Sequence, residues 1–120
     1  KGLVVTGGLH PGQSTNATAS LIAERIGADL FLNATSVDGV YTGNPKKDAN
    51  TKKLSTVTVE KLSEILFNSD MGAGTYELMD MVALKIIERS NIPTRLVLCS
   101  PDVIVNVLEG SQDGTQILSR

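Results

Sequence analysis

Apolar residues along the chain fall into short clusters whose spacing changes from one cluster to the next. Residues 3–6, LVVT, are a continuous apolar run stopped by Gly7 and Gly8, the pattern of a buried strand. A loop follows to about Ser14. From about Thr15 to Ile26 the spacing becomes helical, with Ala17, Leu21, Ile22 and Ile26 along one side and Gly27 as the stop. Residues 29–34, DLFLNA, read as the next strand. Residues 35–53 are polar and rich in turn signals, with Asp38-Gly39, Gly43-Asn44-Pro45 and a lysine cluster, and predict a long loop. Residues 59–67 return to helical spacing, with Thr58 as their cap.

Beyond the loose NSDMGAGT, a stronger helix is predicted from about Tyr76 to Arg89. Met79, Val82, Ala83, Ile86 and Ile87 fall on its i, i+3, i+4, i+7 and i+8 positions. Residues 94–99, TRLVLC, form a strand. Residues 102–108 form a short helix, N-capped by Ser100 or with Pro101 in its first turn. Residues 115–118, TQIL, give a final strand. This order of strands and helices predicts an α/β fold: a mainly parallel sheet with helices on both faces. In such sheets ligands collect at the carboxyl ends of strands. Both glycine-rich loops of the chain follow predicted strands.

Composition narrows the class. A chain of 120 residues suits one domain or part of one. With 41% hydrophobic residues it can bury a core and is not disordered. No apolar run approaches the roughly 18 residues that span a membrane. The chain opens on Lys1 and a strand-like run, without the pattern of a signal peptide. The single Cys99 cannot form an internal disulfide, which fits a reducing, cytoplasmic compartment; it ends an apolar strand and is expected as a small core residue. A net charge of −2 argues against a broad nucleic-acid or membrane surface. Aromatic residues at 3% leave no stacking platform for single strands.

Chemistry concentrates in the first loop, GGLHPGQST. Gly7, Gly8 and Gly12 allow backbone shapes that turn N–H groups toward an anion. Ser14 or Thr15 then caps a helix whose positive end attracts negative charge, and phosphate is the natural occupant. An ordinary strand-to-helix turn needing φ > 0 accounts for the same glycines. The loop is neither GxGxxG nor Walker A, and no lysine follows it.

The second loop carries a resemblance. VDGVYTGNP, residues 37–45, preceded by Thr35 and followed by Lys46-Lys47-Asp48, resembles the nucleotide-binding segment of the amino-acid-kinase superfamily. Together with GGLHPGQST, GTYELMD at 74–80 and ALKIIERS at 83–90, it is similar to the uridylate kinase family, the archaeal branch in particular. The likeness runs from Leu3 to the closing DGTQIL, nearly the whole chain. It implies the three-layer sandwich of the amino-acid-kinase fold, with residues 1–120 as the C-terminal, ATP-side part of a single domain that includes the UMP acceptor loop. The activity it implies is transfer of the ATP γ-phosphoryl group to UMP, giving UDP in pyrimidine nucleotide synthesis.

Carried over residue by residue, the resemblance places Leu9, His10, Pro11, Gly12, Gln13, Ser14 and Thr15 along the UMP, with the Ser14 and Thr15 hydroxyls near its phosphate. It places Thr35, Tyr41 and Asn44 against ATP, which Mg²⁺ would accompany. It also implies a homo-oligomer, a hexamer in the family's usual form. The residue chemistry agrees: Tyr41 offers a flat face for a base and a hydroxyl for a polar edge, while Thr35 and Asn44 offer short hydrogen-bonding groups.

Phosphoryl transfer needs positive charge on the moving oxygens. The family supplies it from a lysine, a first glycine loop and an arginine that have no counterpart in this sequence. The catalytic residues are therefore expected in an N-terminal half of roughly 100 residues; no metal ligand is expected here. Asn16 and Asn44 stand where many members carry aspartate, so neither supplies that charge. His10 is a weak candidate for acid–base catalysis. Lys46, Lys47, Lys52 and Lys53 read as a solvated face, with ATP phosphates as the sharper option. Met71, Met79 and Met81 read as packing or subunit contacts, and Asp38-Gly39 as a tight turn. Three other functions compete: a superfamily kinase acting on a carboxylate, carbamate or isopentenyl phosphate; a nucleotide-binding storage protein for oxoanions; and a nucleotide-binding or assembly module without kinase activity.

Overall fold

A strand rich in β-branched and leucine side chains can be buried on both faces only if neighbours flank both its edges, because its backbone polar groups need partners. The strand at residues 94–98 meets that condition. In the computed structural model, which describes residues 2–68 and 78–120, the elements are α1 (Thr15–Ile26), β1 (Phe31–Thr35), β2 (Val40–Tyr41), β3 (Lys53–Leu54), β4 (Thr56–Thr58), α2 (Val59–Asn68), α3 (Met81–Ser90), β5 (Thr94–Leu98), α4 (Pro101–Leu108) and β6 (Thr115–Leu118). The main sheet has the order β1-β5-β6-β4. β5 runs parallel to β1, with Phe31 opposite Thr94, and antiparallel to β6, with Thr94 opposite Ile117. β4 runs parallel to β6, so two of the three pairings are parallel. β2 and β3 form a separate antiparallel hairpin, Val40 opposite Leu54.

Alternation along the strands sorts the side chains. Phe31, Leu96, Ile117 and Val57 join Leu62, Leu66, Leu84 and Ile87 in one buried cluster under α1, α2 and α3. Burying side chains of this size contributes about 1.5–3 kcal/mol each. Val97, which alternates with Leu96, is also fully buried, and α4 packs against β5 with Val107 as its buried residue. α1 and α3 lie against each other, and Arg89 donates to both carboxylate oxygens of Glu24 at 2.8 and 2.6 Å. That contact lowers the Glu24 pKa and raises that of Arg89. Both groups are solvated, so the core remains the main source of stability.

Several expectations need correction. Residues 3–6 join no ladder among the described residues, and Leu3, Val4 and Val5 are exposed. A strand exists only when a neighbour completes its hydrogen bonds; among the described residues β1 pairs with β5 alone, and the run is not docked on its other edge. The helix expected from Tyr76 begins at Met81, because Asp80 is in extended conformation and caps it. Residues 76 and 77, with Met71, lie outside the described residues. The long loop at 35–53 contains the hairpin, whose two-residue strands are too short to show a period. α1 packs through Ala17, Thr18, Ser20 and Ala23, leaving Ile26 exposed: small side chains let α3 approach closely. Val82 is likewise exposed, and Leu84 takes the buried place. Cys99 is exposed, lying one residue past the end of β5.

Gly114, at the entry to β6, has φ 79°, and a Cβ there would lie 2.1 Å from the Leu96 carbonyl oxygen. Gly114→Ala is therefore expected to destabilise the fold by at least about 2 kcal/mol, read as a lower urea midpoint at unchanged slope.

Candidate functional site

Short turns reverse the chain between α1 and β1 and between α3 and β5, so both helices begin at the carboxyl edge of these two parallel strands. Their first residues meet there. The Ser14 hydroxyl accepts from the Ala17 N–H at 3.0 Å, capping α1. Its own proton goes to Oδ2 of Asp80, whose Oδ1 accepts from the Ala83 N–H at 2.7 Å and caps α3. One carboxylate thus fixes two helix starts. Asn33 on β1 adds a third tie, donating from Nδ2 to the Leu78 carbonyl at 2.8 Å in the buried interior.

The loop before α1 is open to solvent. Leu9, His10, Pro11, Gly12 and Thr15 are exposed. Gly12 has φ 83°, as the turn requires, whereas Gly7 and Gly8 do not adopt positive φ. The Gln13 N–H donates to the His10 carbonyl at 3.3 Å and closes the turn. The Gln13 Oε1 is buried without a hydrogen-bond partner among the described residues. His10 Nδ1 lies 3.3 Å from the Pro11 carbonyl. With the Ser14 proton committed to Asp80, Thr15 holds the free hydroxyl at the head of the helix among the described residues.

The second loop leaves β1 at Thr35, whose carbonyl accepts from the Cys99 N–H at 2.7 Å. Asp38 then organises the hairpin. Its Oδ1 accepts from the Tyr41 hydroxyl at 2.9 Å, and Lys53 Nζ lies 3.4 Å from its Oδ2. Partial burial pushes the Asp38 carboxyl up, but the Tyr41 and Lys53 contacts outweigh this and hold it below the usual carboxylate range. The same hydrogen bond raises Tyr41. The polar edge expected of Tyr41 is therefore engaged, and its ring is the part left for a ligand. Asn44 serves its own turn: Oδ1 accepts from the Lys46 N–H at 2.9 Å, and its carbonyl accepts from the N–H groups of Lys47 and Asp48. Lys46, Lys47, Lys52 and Lys53 are exposed, as a solvated face requires.

A cleft of about 820 Å³ opens between this loop and α2. Leu54, Val57 and Ile65 give it apolar surface; Asn44, Lys47 and Lys61 give it polar groups. Its size suits a small-molecule ligand. Asn44 lines the cleft, whereas Thr35 and Tyr41 do not. Sequence reasoning missed Asp80 and Thr115. Asp80 carried a signal, a capping residue before MVALKII, but the apolar residues ahead of it extended the helical pattern across the cap. Among the described residues no three His, Cys, Asp or Glu side chains are grouped to hold a metal ion.

Two loops at one edge of a mainly parallel sheet, one of them leading into a capped helix start, are the layout of a small-molecule-binding α/β protein. Comparison with known proteins identifies which. The profile of the Amino acid kinase family matches residues 2–97, and the chain belongs to that family. It is 46% identical to a uridylate kinase of Archaeoglobus fulgidus over 115 residues, 96% of this chain and 52% of the relative. It is 45% identical to a uridylate kinase of Hyperthermus butylicus, over 96% of this chain and 51% of the relative. The crystal structure of the Archaeoglobus fulgidus uridylate kinase superposes with a TM-score of 0.78 at 44% identity, covering 92% of this chain and 50% of that one. The chain thus spans about half the length of the curated relatives it matches.

The Asp38 contacts give a pH dependence of known sign. A carboxyl held low in the folded state contributes stability above its unfolded pKa and loses it as pH falls through the depressed folded value. Protection of the Thr42 amide, which donates to the Lys52 carbonyl in the hairpin, is expected to hold at about pH 7 and to fall only below the ordinary carboxylate range near 4. Asp38→Asn should remove this acid step in a hydrogen-exchange series.

Proposed function

We propose that this chain is the nucleotide-binding, C-terminal part of a UMP kinase that transfers the ATP γ-phosphoryl group to UMP. The observation that carries the reading is the pairing of two loops at one sheet edge: the Gly12 turn leading into the capped start of α1, and the Asp38–Tyr41–Lys53 hairpin beside an open cleft. The first loop takes UMP. Its anionic phosphate sits at the positive end of α1, near the Thr15 hydroxyl, and Gly12 leaves room for it. Leu9, His10, Pro11 and Gln13 border the nucleoside. The second loop takes ATP, with the Tyr41 ring and Asn44 beside the nucleoside and Thr35 at the strand end.

The acceptor is already an anion, so His10 need not act as a base. Mg²⁺ arrives with ATP as part of the substrate, held by phosphate oxygens and water as is usual for this ion. The cationic groups that stabilise the transferring phosphoryl belong to the rest of the intact protein, where the catalytic residues lie. We place that protein in the cytoplasm as a homo-oligomer, a hexamer by its likeness to the family, acting in pyrimidine nucleotide synthesis.

Calorimetry on the intact protein tests the assignment. Thr15→Ala is expected to weaken UMP by roughly 1–2 kcal/mol, and Gly12→Val to abolish UMP binding by straining the turn. Both should leave ATP almost unchanged. Tyr41→Ala should weaken ATP about tenfold, about 1.4 kcal/mol, and spare UMP. Equal losses of both nucleotides in each variant would overturn the loop assignment. Two intact affinities without ADP release would indicate a binding module that transfers nothing.

A further inference from the structure

The hairpin that carries Tyr41 and Asn44 is attached to the main sheet through a side chain with no assigned role. Thr115, the first residue of β6, is completely buried. Its Oγ1 accepts from the Val40 N–H at 2.8 Å and donates to the Leu54 carbonyl at 2.6 Å. Val40 and Leu54 are cross-strand partners at the base of the hairpin. The Thr115 hydroxyl is therefore inserted between the two strands, with its oxygen accepting from one and its proton given to the other. A hydroxyl is the smallest side-chain group that can donate and accept at once, and neither Val nor Ala can replace it.

The surroundings keep this oxygen in place. Gly114, held by its approach to the Leu96 carbonyl, sets the direction in which β6 begins. On the opposite side, a Cβ on Gly39 would lie 2.8 Å from Thr115 Oγ1 and 2.8 Å from Lys53 Cε. Lys53 in turn pairs with Asp38, the acceptor for Tyr41. The hydroxyl thus lies close to Gly39, next to the Asp38 that pairs with Lys53 and accepts from the Tyr41 hydroxyl.

We propose that Thr115 is the positioning residue of the donor loop: its hydroxyl fixes the hairpin base so that Tyr41 and Asn44 present one geometry to the ATP nucleoside. This rests on the assignment of ATP to that loop. Thr115 is completely buried and acts through the hairpin, and loss of its hydroxyl removes the partner of the buried Val40 N–H and of the half-buried Leu54 carbonyl.

The test uses the intact protein and two independent readouts, amide exchange at Val40 and calorimetric affinity for ATP and UMP. Thr115→Val is expected to speed Val40 exchange at least about tenfold and to weaken ATP about tenfold, with UMP within about twofold of the parent. Thr115→Ser, which keeps the hydroxyl, should restore both readouts. Should Thr115→Val fail to fold, Gly39→Ala displaces the same oxygen from the other side and should produce the same pair of changes. Unchanged Val40 exchange would overturn the clamp. Fast Val40 exchange with unchanged ATP affinity would overturn the positioning role. In that case Tyr41→Ala separates the two readings: if it still weakens ATP, the loop assignment stands and the Thr115 proposal alone falls.

Discussion

Burial of β5 on both faces is the constraint from which the rest of the architecture follows. Residues Thr94 to Val97 have almost no contact with solvent, so both edges must be paired and both faces covered. Parallel pairing with β1 requires a crossover, which α2, α3 and the hairpin supply. Antiparallel pairing with β6 brings the Gly114–Thr115 entry beside Leu96, toward the edge where β1 and β5 end. The candidate site follows from this strand order: the starts of α1 and α3 and the loop that leaves β1 all stand at the edge where β1 and β5 end.

What holds these loops is a small set of hydroxyl and carboxylate groups with divided duties. Ser14 accepts from its own helix and donates to Asp80, while Asp80 splits its two oxygens between Ser14 and α3. Thr115 divides its hydroxyl between two strands, and Asp38 divides its oxygens between Tyr41 and Lys53. Ser14, Asp80 and Asp38 each join a partner three residues away to one farther along the chain, and both partners of Thr115 lie more than sixty residues away. Such bonds add modest net stability, about 0.5–1.5 kcal/mol each, but they are costly to leave half-made. They fix where the loops stand more than how stable the fold is.

This division explains what could be read from the sequence. α1, α2, α4, β1, β5 and β6 were legible because their apolar spacing, together with Gly27 and Pro101 at the ends, is a local property. The hairpin was not, because strands of two residues carry no period and exist through Thr115, more than sixty residues away. The start of α3 was misplaced for a similar reason. Leu78 and Met79 are apolar because they enter the core, which imitates helical spacing, and only the cap at Asp80 marks the true boundary. The run at residues 3–6 has the composition of a strand but no partner among the described residues, and composition cannot report whether a neighbour is present. The candidate site residues were placed by likeness to a family, and the geometry gives two of them local duties as well. Asn44 shapes its own turn, and the Tyr41 hydroxyl is held by Asp38.

The Gly114–Thr115 step has a consequence for how this sequence can drift. Gly114 tolerates no side chain because of a backbone oxygen on β5, and Thr115 tolerates no loss of its hydroxyl because of backbone groups on β2 and β3. Both restrictions come from main-chain atoms, which every amino acid shares. A second substitution elsewhere therefore cannot relieve them by offering a smaller or more complementary side chain, as it can in an apolar core. This dipeptide has no such partners, so it is expected to accept only glycine followed by a residue that bears a hydroxyl.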